Sequence, residues 1–236
     1  MEVEPIARIE SVYKEKFGIP RQSNVVDTVS AIVFEPQYRV REAFVGIEGF
    51  EFLWLVWHFS ESVSEDWSPT VRPPRLGGNK RVGVFATRSP FRPNGIGLSS
   101  VRLIDVDYSS PDGPRLIVGG ADLMDGTPIF DVKPYIPYTD AHAGARCGFA
   151  AEPATNLLRI EVPDSVKSAM DSAMWSVVSN MLAHDPRPAY QHSNDRIYGM
   201  NVGDYEIRFR VENDAVAHVV EINKTEHATK TRHKVS

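Results

Sequence analysis

Several kinds of residue and motif are scarce or missing in this chain of 236 residues, and each absence excludes a class of protein. Cysteine occurs once, at Cys147, so no disulfide can form within the chain and a disulfide-stabilised fold is excluded. The single cysteine and the scattered histidines show no metal-ligand spacing, so no metal site is expected. We interpret Cys147 as a small buried or idle residue rather than a nucleophile.

Long apolar runs and nucleotide-binding glycine motifs are also missing. The longest apolar run, Phe52–Phe59, includes His58 and is far shorter than the roughly 20 residues of a membrane-spanning helix. The N-terminal residues lack the pattern of a secretory signal, which together with the cysteine usage predicts a cytoplasmic protein. No GxxxxGK[ST] loop or GxSxG elbow occurs, and Gly95-Ile-Gly97 lacks the βαβ context of a dinucleotide-binding fold.

Acidic residues are missing from a long central part of the chain, between Asp66 and Asp105. The whole chain nevertheless has a formal charge of −5, so a basic interval stands out against an acidic body. This basic stretch, residues 72–103, contains the cations Arg72, Arg75, Lys80, Arg81, Arg88, Arg92 and Arg102. Its prolines stiffen the backbone, and its glycines permit close approach of a ligand. A concentrated positive field attracts polyanions, which favours a functional surface over ordinary solvated loops.

Residues 1–150 have the pattern of short strands separated by turn residues. The predicted strands are Val29–Phe34, Ala43–Ile47, Phe52–Phe59, Val82–Ala86, Leu98–Val106 and Arg115–Val118. Phe52–Trp57 is continuously apolar, which predicts burial on both faces, and Val82–Phe85 predicts a short buried strand. No helix of ten or more residues is expected in this part. The pattern favours a mainly β protein, built as a barrel or a sandwich.

The pattern changes near residue 150, and we expect a small α+β domain over residues 156–225. Asp164 is placed to cap a helix that ends at Pro186. The apolar positions of this helix are Val166, Met170, Ala173, Val177 and Met181. Alternation of Ile207, Phe209 and Val211 with charged residues then predicts a strand. Residues 1–150 would form the first domain, and residues 226–236 a polar tail.

Four polar segments are candidates for the chemistry: Gly18–Gln22, His58–Glu61, the basic stretch and Asp122–Tyr135. Taken alone, the first is best interpreted as a plain loop. The second follows a buried strand, where ligand groups are common in barrels, but any strand must also end in polar residues. The fourth places three carboxylates around an Asp-Gly turn, which is equally compatible with a simple hairpin. Its Asp125 and Asp131 are candidates for a general base or for holding a cationic ligand.

Taken together, the four segments resemble the TsaA-like, or TrmO, family of tRNA methyltransferases. The resemblance spans nearly the whole chain. It is carried by Tyr13–Phe17, Pro20–Gln22, Arg72–Asn79, Gly83–Ser89, Phe91–Asn94, Asp125–Pro128, Asp131–Tyr135 and Asp185–Tyr190. The family more often has a proline where this chain has Gly95.

The resemblance implies an N-terminal β-barrel that binds S-adenosylmethionine and is unrelated to Rossmann-like methyltransferases, followed by the small C-terminal domain. It also implies a homodimer with the cofactor near the subunit interface. The implied reaction is methylation of N6 of N6-threonylcarbamoyladenosine at position 37 of tRNA. The implied cofactor contacts are Pro20, Arg21, Gln22, Ser60, Glu61, Arg88, Leu98, Asp125, Gly126, Thr127 and Pro128.

The residue types also indicate how the anticodon arm of tRNA could be held. The predicted substrate contacts are Arg72, Arg75, Lys80, Arg81, Arg92, Lys133, Arg187 and Tyr190. We expect Asp185–Tyr190 to be an exposed loop that holds RNA while the barrel binds the cofactor. The alternative is that Arg187 pairs with Asp185 and Tyr190 packs on its own domain. Two other functions stay open: a non-catalytic nucleic-acid-binding barrel, and a methyltransferase for an acidic metabolite.

Overall fold

The computed structural model describes residues 2–62, 67–77, 79–151, 157–188, 191 and 193–225. The strands of these ranges are β1 Ala7–Glu10, β2 Val29–Phe34, β3 Phe52–His58, β4 Thr70–Val71, β5 Val82–Gly83, β6 Ile96–Asp107, β7 Arg115–Gly119, β8 Pro128–Pro134, β9 Arg159–Glu161, β10 Tyr198–Val202, β11 Tyr205–Glu212 and β12 Val216–Lys224. The α-helices are α1 Pro137–Asp140, α2 Asp164–Lys167 and α3 Ser172–Ala183. None of these helices is long and apolar enough to cross a membrane. The predicted tail, residues 226–236, lies outside the described residues.

Six strands close into an antiparallel barrel in the order β1-β2-β7-β6-β3-β8. Closure leaves these strands without an unpaired edge. Side chains that alternate along each strand fill the interior, as in the fully buried Ile9, Ile32, Leu55 and Leu116. The prediction of a mainly β protein with an N-terminal barrel is confirmed. Up to residue 151, the described part of the chain contains no helix of ten residues.

Strand β3 is buried on one face only, which corrects the expectation of burial on both. Leu53, Leu55 and Trp57 are buried, whereas Trp54 between them is half-buried. The Trp54 ring is partly covered by the segment that follows β8. Its Nε1 donates to Asp140 Oδ2 at 2.8 Å, and the ring centre lies 5.5 Å from that of Tyr135. Because the outward side chains of β3 are partly covered, they are apolar too. The sequence of β3 therefore resembles that of a strand buried on both faces.

Two of the predicted strands are largely turns. Ala43–Ile47 falls within 3₁₀ turns at Arg41–Phe44 and Ile47–Gly49, separated by Gly46 with a φ of +86°. Val82–Ala86 begins as β5, which pairs with β4, and then turns at Val84. Phe85 is 72% exposed, so this segment is not a buried strand.

The second sheet has the strand order β10-β11-β12-β9 and shares a core with α3. Ile207, Phe209 and Val211 are buried, as their alternation predicts. The predicted single helix is wrong, because the chain forms α2 and α3 separately. Asp171 is the N-cap of α3, because its Oδ1 accepts a hydrogen bond from Met174 N at 2.9 Å. The sequence pattern had assigned this capping role to Asp164, which instead is the first residue of α2.

A segment between β1 and β2, residues 11–26, joins the barrel to the second sheet, and we name it the strap. Its Tyr13 and Val26 are each 1% exposed and belong to the core of the second sheet, not to that of the barrel. The strap also contains Pro20–Gln22, which the family resemblance assigns to the cofactor. Pro20–Gln22 therefore belong to a segment whose apolar side chains pack in the core of the C-terminal sheet.

Candidate functional site

The strap brings the polar segments of the sequence together at one side of the barrel. Near its start, Asp125 Oδ1 accepts from Ser11 N at 2.9 Å, and Asp125 Oδ2 forms an ion pair with Lys14 Nζ at 2.9 Å. Further along, Lys16 donates to the carbonyl of Glu61. Toward its end, the Gln22 side-chain oxygen accepts a hydrogen bond from the Arg88 guanidinium. All four predicted segments are thus linked through one piece of chain.

A series of hydrogen-bonded side chains leads from the barrel interior toward Arg88. Trp57 Nε1 donates to Ser99 Oγ at 3.0 Å, and Ser99 Oγ donates to Asp122 Oδ1 at 2.6 Å. Burial raises the pKa of the Asp122 carboxyl above its usual range, while the Ser99 hydrogen bond and the Arg88 charge oppose that rise. Gly97 makes room for the indole, because a Cβ there would lie 2.3 Å from the Trp57 ring. The site therefore combines a fixed carboxylate with an exposed guanidinium.

Asp122 is the site residue that sequence reasoning missed. It lies inside the fourth polar segment, but the candidates chosen there were Asp125 and Asp131. Asp125 holds the strap, and Asp131 on β8 forms an ion pair with Lys133 at 2.6 Å. The available signal was that Asp122 stands between Ala121 and Leu123, two apolar residues that are both buried. A carboxylate flanked by core residues is seldom free surface.

The turn Asp125–Pro128 packs against β1 rather than presenting its side chains outward. Gly126 adopts a φ of +77°, and its N–H donates to Ile9 O at 2.8 Å. Thr127 is buried and donates from Oγ1 to Met124 O at 2.6 Å, and Pro128 is also buried. Elsewhere, Ser60 opens a short 3₁₀ turn. Leu98 on β6 faces outward and is 56% exposed.

The five cations of the basic stretch that were predicted as substrate contacts fall into two groups. Arg72, Arg75 and Lys80 are exposed. Arg81 and Arg92 instead fix their own loops, since Arg81 Nε donates to Thr70 Oγ1 and Arg92 Nη1 to Thr87 O, each at 2.7 Å. Lys133, the remaining predicted contact in the barrel, is exposed beside Asp131.

The structure contradicts the exposed position predicted for Arg187. Its side chain is 2% exposed, and its nitrogens lie 2.8 Å from Asp185 Oδ1 and 2.8 Å from Asp214 Oδ1. A buried guanidinium needs such carboxylate partners to offset its lost hydration. These contacts agree with the alternative that Arg187 pairs with Asp185. Tyr190 lies outside the described residues.

Two concave surfaces border the polar segments. An open groove of about 480 Å³ is lined by residues that include Glu10, Lys14, Ile117 and Asp125. A cavity of about 110 Å³ lies between His58, Trp67 and the loop 90–95. Neither contains Arg88 or Gln22, which lie on an exposed face.

Loop 90–95 contains Gly95, where the resemblance to the family leads us to expect a proline. This residue has a φ of +56°, which a proline ring cannot adopt. Its carbonyl accepts from Phe59 N at 2.9 Å, so the loop is tied to the end of β3. The loop therefore follows a path here that the more usual proline would not permit.

The fold is that of a barrel-type binding protein, distinct from P-loop and dinucleotide-binding folds, and its candidate site offers charged side chains of both signs. Within the part of the chain that the structure describes, no three His, Cys, Asp or Glu side chains are grouped as metal ligands. The profile of the tRNA-methyltransferase O N-terminal domain matches residues 8–141, and that of the TrmO C-terminal domain matches residues 157–225. The chain belongs to the tRNA-methyltransferase O family.

Similar proteins agree with this assignment. The tRNA (adenine(37)-N6)-methyltransferase of Escherichia coli K12 is 37% identical over 217 residues, which cover 88% of this chain and 92% of that protein. A Pseudomonas aeruginosa protein, named as an S-adenosylmethionine-dependent methyltransferase, is 36% identical over 229 residues, 93% of this chain and 96% of its own. The crystal structure of TrmO from Pseudomonas aeruginosa has a TM-score of 0.75 at 31% identity and covers 94% of this chain and 98% of that one. The predictions of a methyltransferase and of S-adenosylmethionine as its cofactor are confirmed.

The side chains present at the site fit this cofactor. A guanidinium such as that of Arg88 suits the carboxylate of the methionine part, because the pair can form two parallel charge-assisted hydrogen bonds. The Asp122 carboxylate suits a cationic group, either the ammonium or the sulfonium. The Gln22 amide offers both a donor and acceptors to an adenine edge.

We expect Arg88→Ala to weaken S-adenosylmethionine binding by at least tenfold, from the loss of a charge-assisted pair worth about 1.5–3 kcal/mol. Binding of tRNA should fall by less, because Arg88 is only one of several cations in the basic stretch. Asp122→Asn should weaken binding of S-adenosylmethionine. S-adenosylhomocysteine keeps the ammonium but lacks the sulfonium charge, so its binding should fall equally if Asp122 faces the ammonium and fall less if Asp122 faces the sulfonium. Titration calorimetry with both ligands measures these differences.

The matched control is Arg41→Ala, which removes an exposed cation that lies over Tyr108, outside the basic stretch. It should leave both affinities unchanged. A folded Arg88→Ala protein with wild-type affinity for S-adenosylmethionine would remove Arg88 from the site.

Proposed function

We propose that the protein transfers a methyl group from S-adenosylmethionine to N6 of N6-threonylcarbamoyladenosine at position 37 of tRNA. The observation that carries this proposal is the location of Arg88, whose guanidinium contacts the strap while its backbone belongs to the acid-free basic stretch. The cofactor site and a polyanion-binding surface therefore share one set of loops. The adenine-37 N6 specificity in the name of the Escherichia coli relative supports the position and the acceptor atom.

Positioning is the main chemical task of the site. When bound, S-adenosylmethionine would supply a methyl group on a sulfonium, and a nitrogen that attacks the methyl carbon in line would release S-adenosylhomocysteine as the leaving group. The new N–C bond forms as the C–S bond breaks, and the acceptor nitrogen must lose its proton. Asp125 and Asp131 remain the candidates to take that proton, although each already has a lysine partner.

The basic stretch is well suited to hold the anticodon arm. Arg72, Arg75 and Lys80 are exposed, and the loop that carries them is held at its base, where Arg81 donates to the carbonyl of Thr70. A loop that is already ordered loses less conformational entropy when it binds RNA. The anticodon arm supplies phosphates for these cations and unstacked bases for neighbouring side chains.

The acceptor is tested with three substrates: tRNA that carries N6-threonylcarbamoyladenosine at position 37, the same tRNA with unmodified adenosine, and the free modified nucleoside. We expect efficient methylation of the first alone, detected as one added methyl group by mass spectrometry of position 37. A reaction without S-adenosylmethionine serves as the inactive control. Equal methylation of unmodified tRNA would refute the threonylcarbamoyl requirement. Equal methylation of the free nucleoside would favour a small-molecule methyltransferase, and methylation of none would favour a binding module.

Affinity for tRNA should depend steeply on salt, because phosphate contacts release counterions. The double variant Arg72→Ala with Lys80→Ala should flatten the slope of log affinity against log salt by roughly one to two units, and Arg41→Ala should not. Binding titrations at several salt concentrations measure the slope. An unchanged slope in the double variant would mean that these cations do not contact phosphates.

We also propose that two copies of the chain associate through the face that carries Arg88. Large apolar side chains are exposed along this part of the chain, at Trp67, Phe85, Phe91, Ile96 and Leu98. Apolar exposure rimmed by cations is typical of a protein interface. A cofactor of this size is normally mostly buried, whereas Arg88 and Gln22 are exposed, so a second copy would complete the site.

Sedimentation velocity over a range of concentrations tests the dimer. Leu98→Glu should shift the protein to monomers, because it places a charge within the apolar face. Val45→Glu is the matched control, since Val45 is an exposed apolar residue elsewhere on the barrel. A Leu98→Glu protein that stays dimeric would place the contact elsewhere.

A further inference from the structure

The apolar side of the strap is part of the C-terminal core. Phe17 stacks on Tyr198 and Phe209, with ring centres 6.3 and 6.4 Å away. Ile19 and Val25, on either side of Pro20–Gln22, pack against the same cluster. The C-terminal sheet therefore supplies the surface on which the predicted cofactor loop lies.

Hydrogen bonds fix the strap along the edge of β10. The Val12 carbonyl accepts from Gly203 N at 2.8 Å, and Tyr13 forms a bridge with Val202. Glu15 Oε1 accepts twice from Asn201, from the backbone N at 2.8 Å and from Nδ2 at 3.0 Å. These contacts set the register of the strap on the sheet.

Close packing at Gly18 leaves the strap little freedom just before Pro20. Gly18 has a φ of +93°, and a Cβ on it would lie 2.5 Å from Met200 Sδ. Only glycine combines this backbone angle with so close an approach. The strap thus turns at a point where it touches β10 directly.

A second anchor acts on Arg21 itself. The Arg21 guanidinium donates to the carbonyl of Arg187 at 3.3 Å. Arg187 is held in turn by Asp185 and by Asp214, which lies in the turn between β11 and β12. The next residue of the strap, Gln22, contacts Arg88. The buried cation that sequence patterns assigned to RNA therefore orients the loop next to the cofactor site.

We infer that the C-terminal sheet positions the cofactor loop, with Glu15 and Arg187 as positioning residues that act through the strap. The inference rests on the proposed placement of the cofactor against Pro20–Gln22 and Arg88. Its physical basis is preorganisation: a loop held in its binding conformation before the ligand arrives loses less entropy on binding. The expected division of labour, with cofactor binding in the barrel alone and RNA binding in the C-terminal domain, does not follow from these contacts.

The test uses the full chain with Glu15→Ala, which removes both hydrogen bonds to Asn201. Hydrogen–deuterium exchange of residues 11–26 should become faster while that of the barrel strands is unchanged. S-adenosylmethionine affinity by calorimetry should fall by about tenfold, equivalent to about 1.4 kcal/mol. Glu15→Gln keeps an acceptor oxygen and should restore both values. Asn201→Ala, a milder change in the same contact, should move both values in the same direction.

The matched control is Glu221→Ala, which removes an exposed carboxylate of the same sheet that pairs with Arg208. It should change neither the exchange of the strap nor the affinity. Unchanged exchange in Glu15→Ala would overturn the inference, because the strap would not depend on this anchor. Faster exchange with wild-type affinity would also overturn it. In that case, the Arg88→Ala variant separates the two proposals. If Arg88→Ala weakens S-adenosylmethionine binding, the proposed function stands and only the inference about the strap fails. If Arg88→Ala binds S-adenosylmethionine normally, the proposed cofactor site is wrong as well.

Discussion

The strap depends on two sets of contacts at once, and the rest of the site depends on the strap. On one side Tyr13, Phe17 and Val26 are packed in the C-terminal core. On the other side Lys14, Lys16 and Gln22 contact the barrel at Asp125, Glu61 and Arg88. A loop of this length would be free to move if either set were missing. Its double attachment explains how a non-repetitive segment can bring four separate parts of the sequence to one place.

The distribution of charge follows the same arrangement. The cation that could meet the cofactor, Arg88, belongs to the loops that expose Arg72 and Lys80. Arg187 does not compete with Arg88, because it is already paired with Asp185 and Asp214. Asp122 supplies a mostly buried carboxylate, and the low dielectric around it strengthens its attraction for a cationic group close by. One small region can therefore attract both a zwitterionic cofactor and a polyanionic substrate.

Sequence patterns predicted the elements that are defined locally. Val29–Phe34 and β7 were recognised because runs of β-branched and apolar residues end at turn residues, and Ile207, Phe209 and Val211 because they alternate. Features made by distant residues were missed. Arg187 is hydrogen-bonded to Asp214, which is 27 residues away in the sequence. Gln22 is hydrogen-bonded to Arg88, which is 66 residues away. The strap has no regular period, so nothing local indicated that its apolar residues belong to another domain. The cofactor and the family were identified from ordered motifs, whereas the position of Asp122 beside Ser99 became evident only from the fold.

The central claim is that the cofactor binds between the strap and the loop of Arg88. Hydrogen–deuterium exchange of the wild-type protein with and without S-adenosylmethionine tests this claim most directly. The account predicts that the cofactor slows exchange in residues 19–24 and 86–90 together. Protection confined to the open groove lined by Glu10 and Ile117, with no change in the strap, would contradict it.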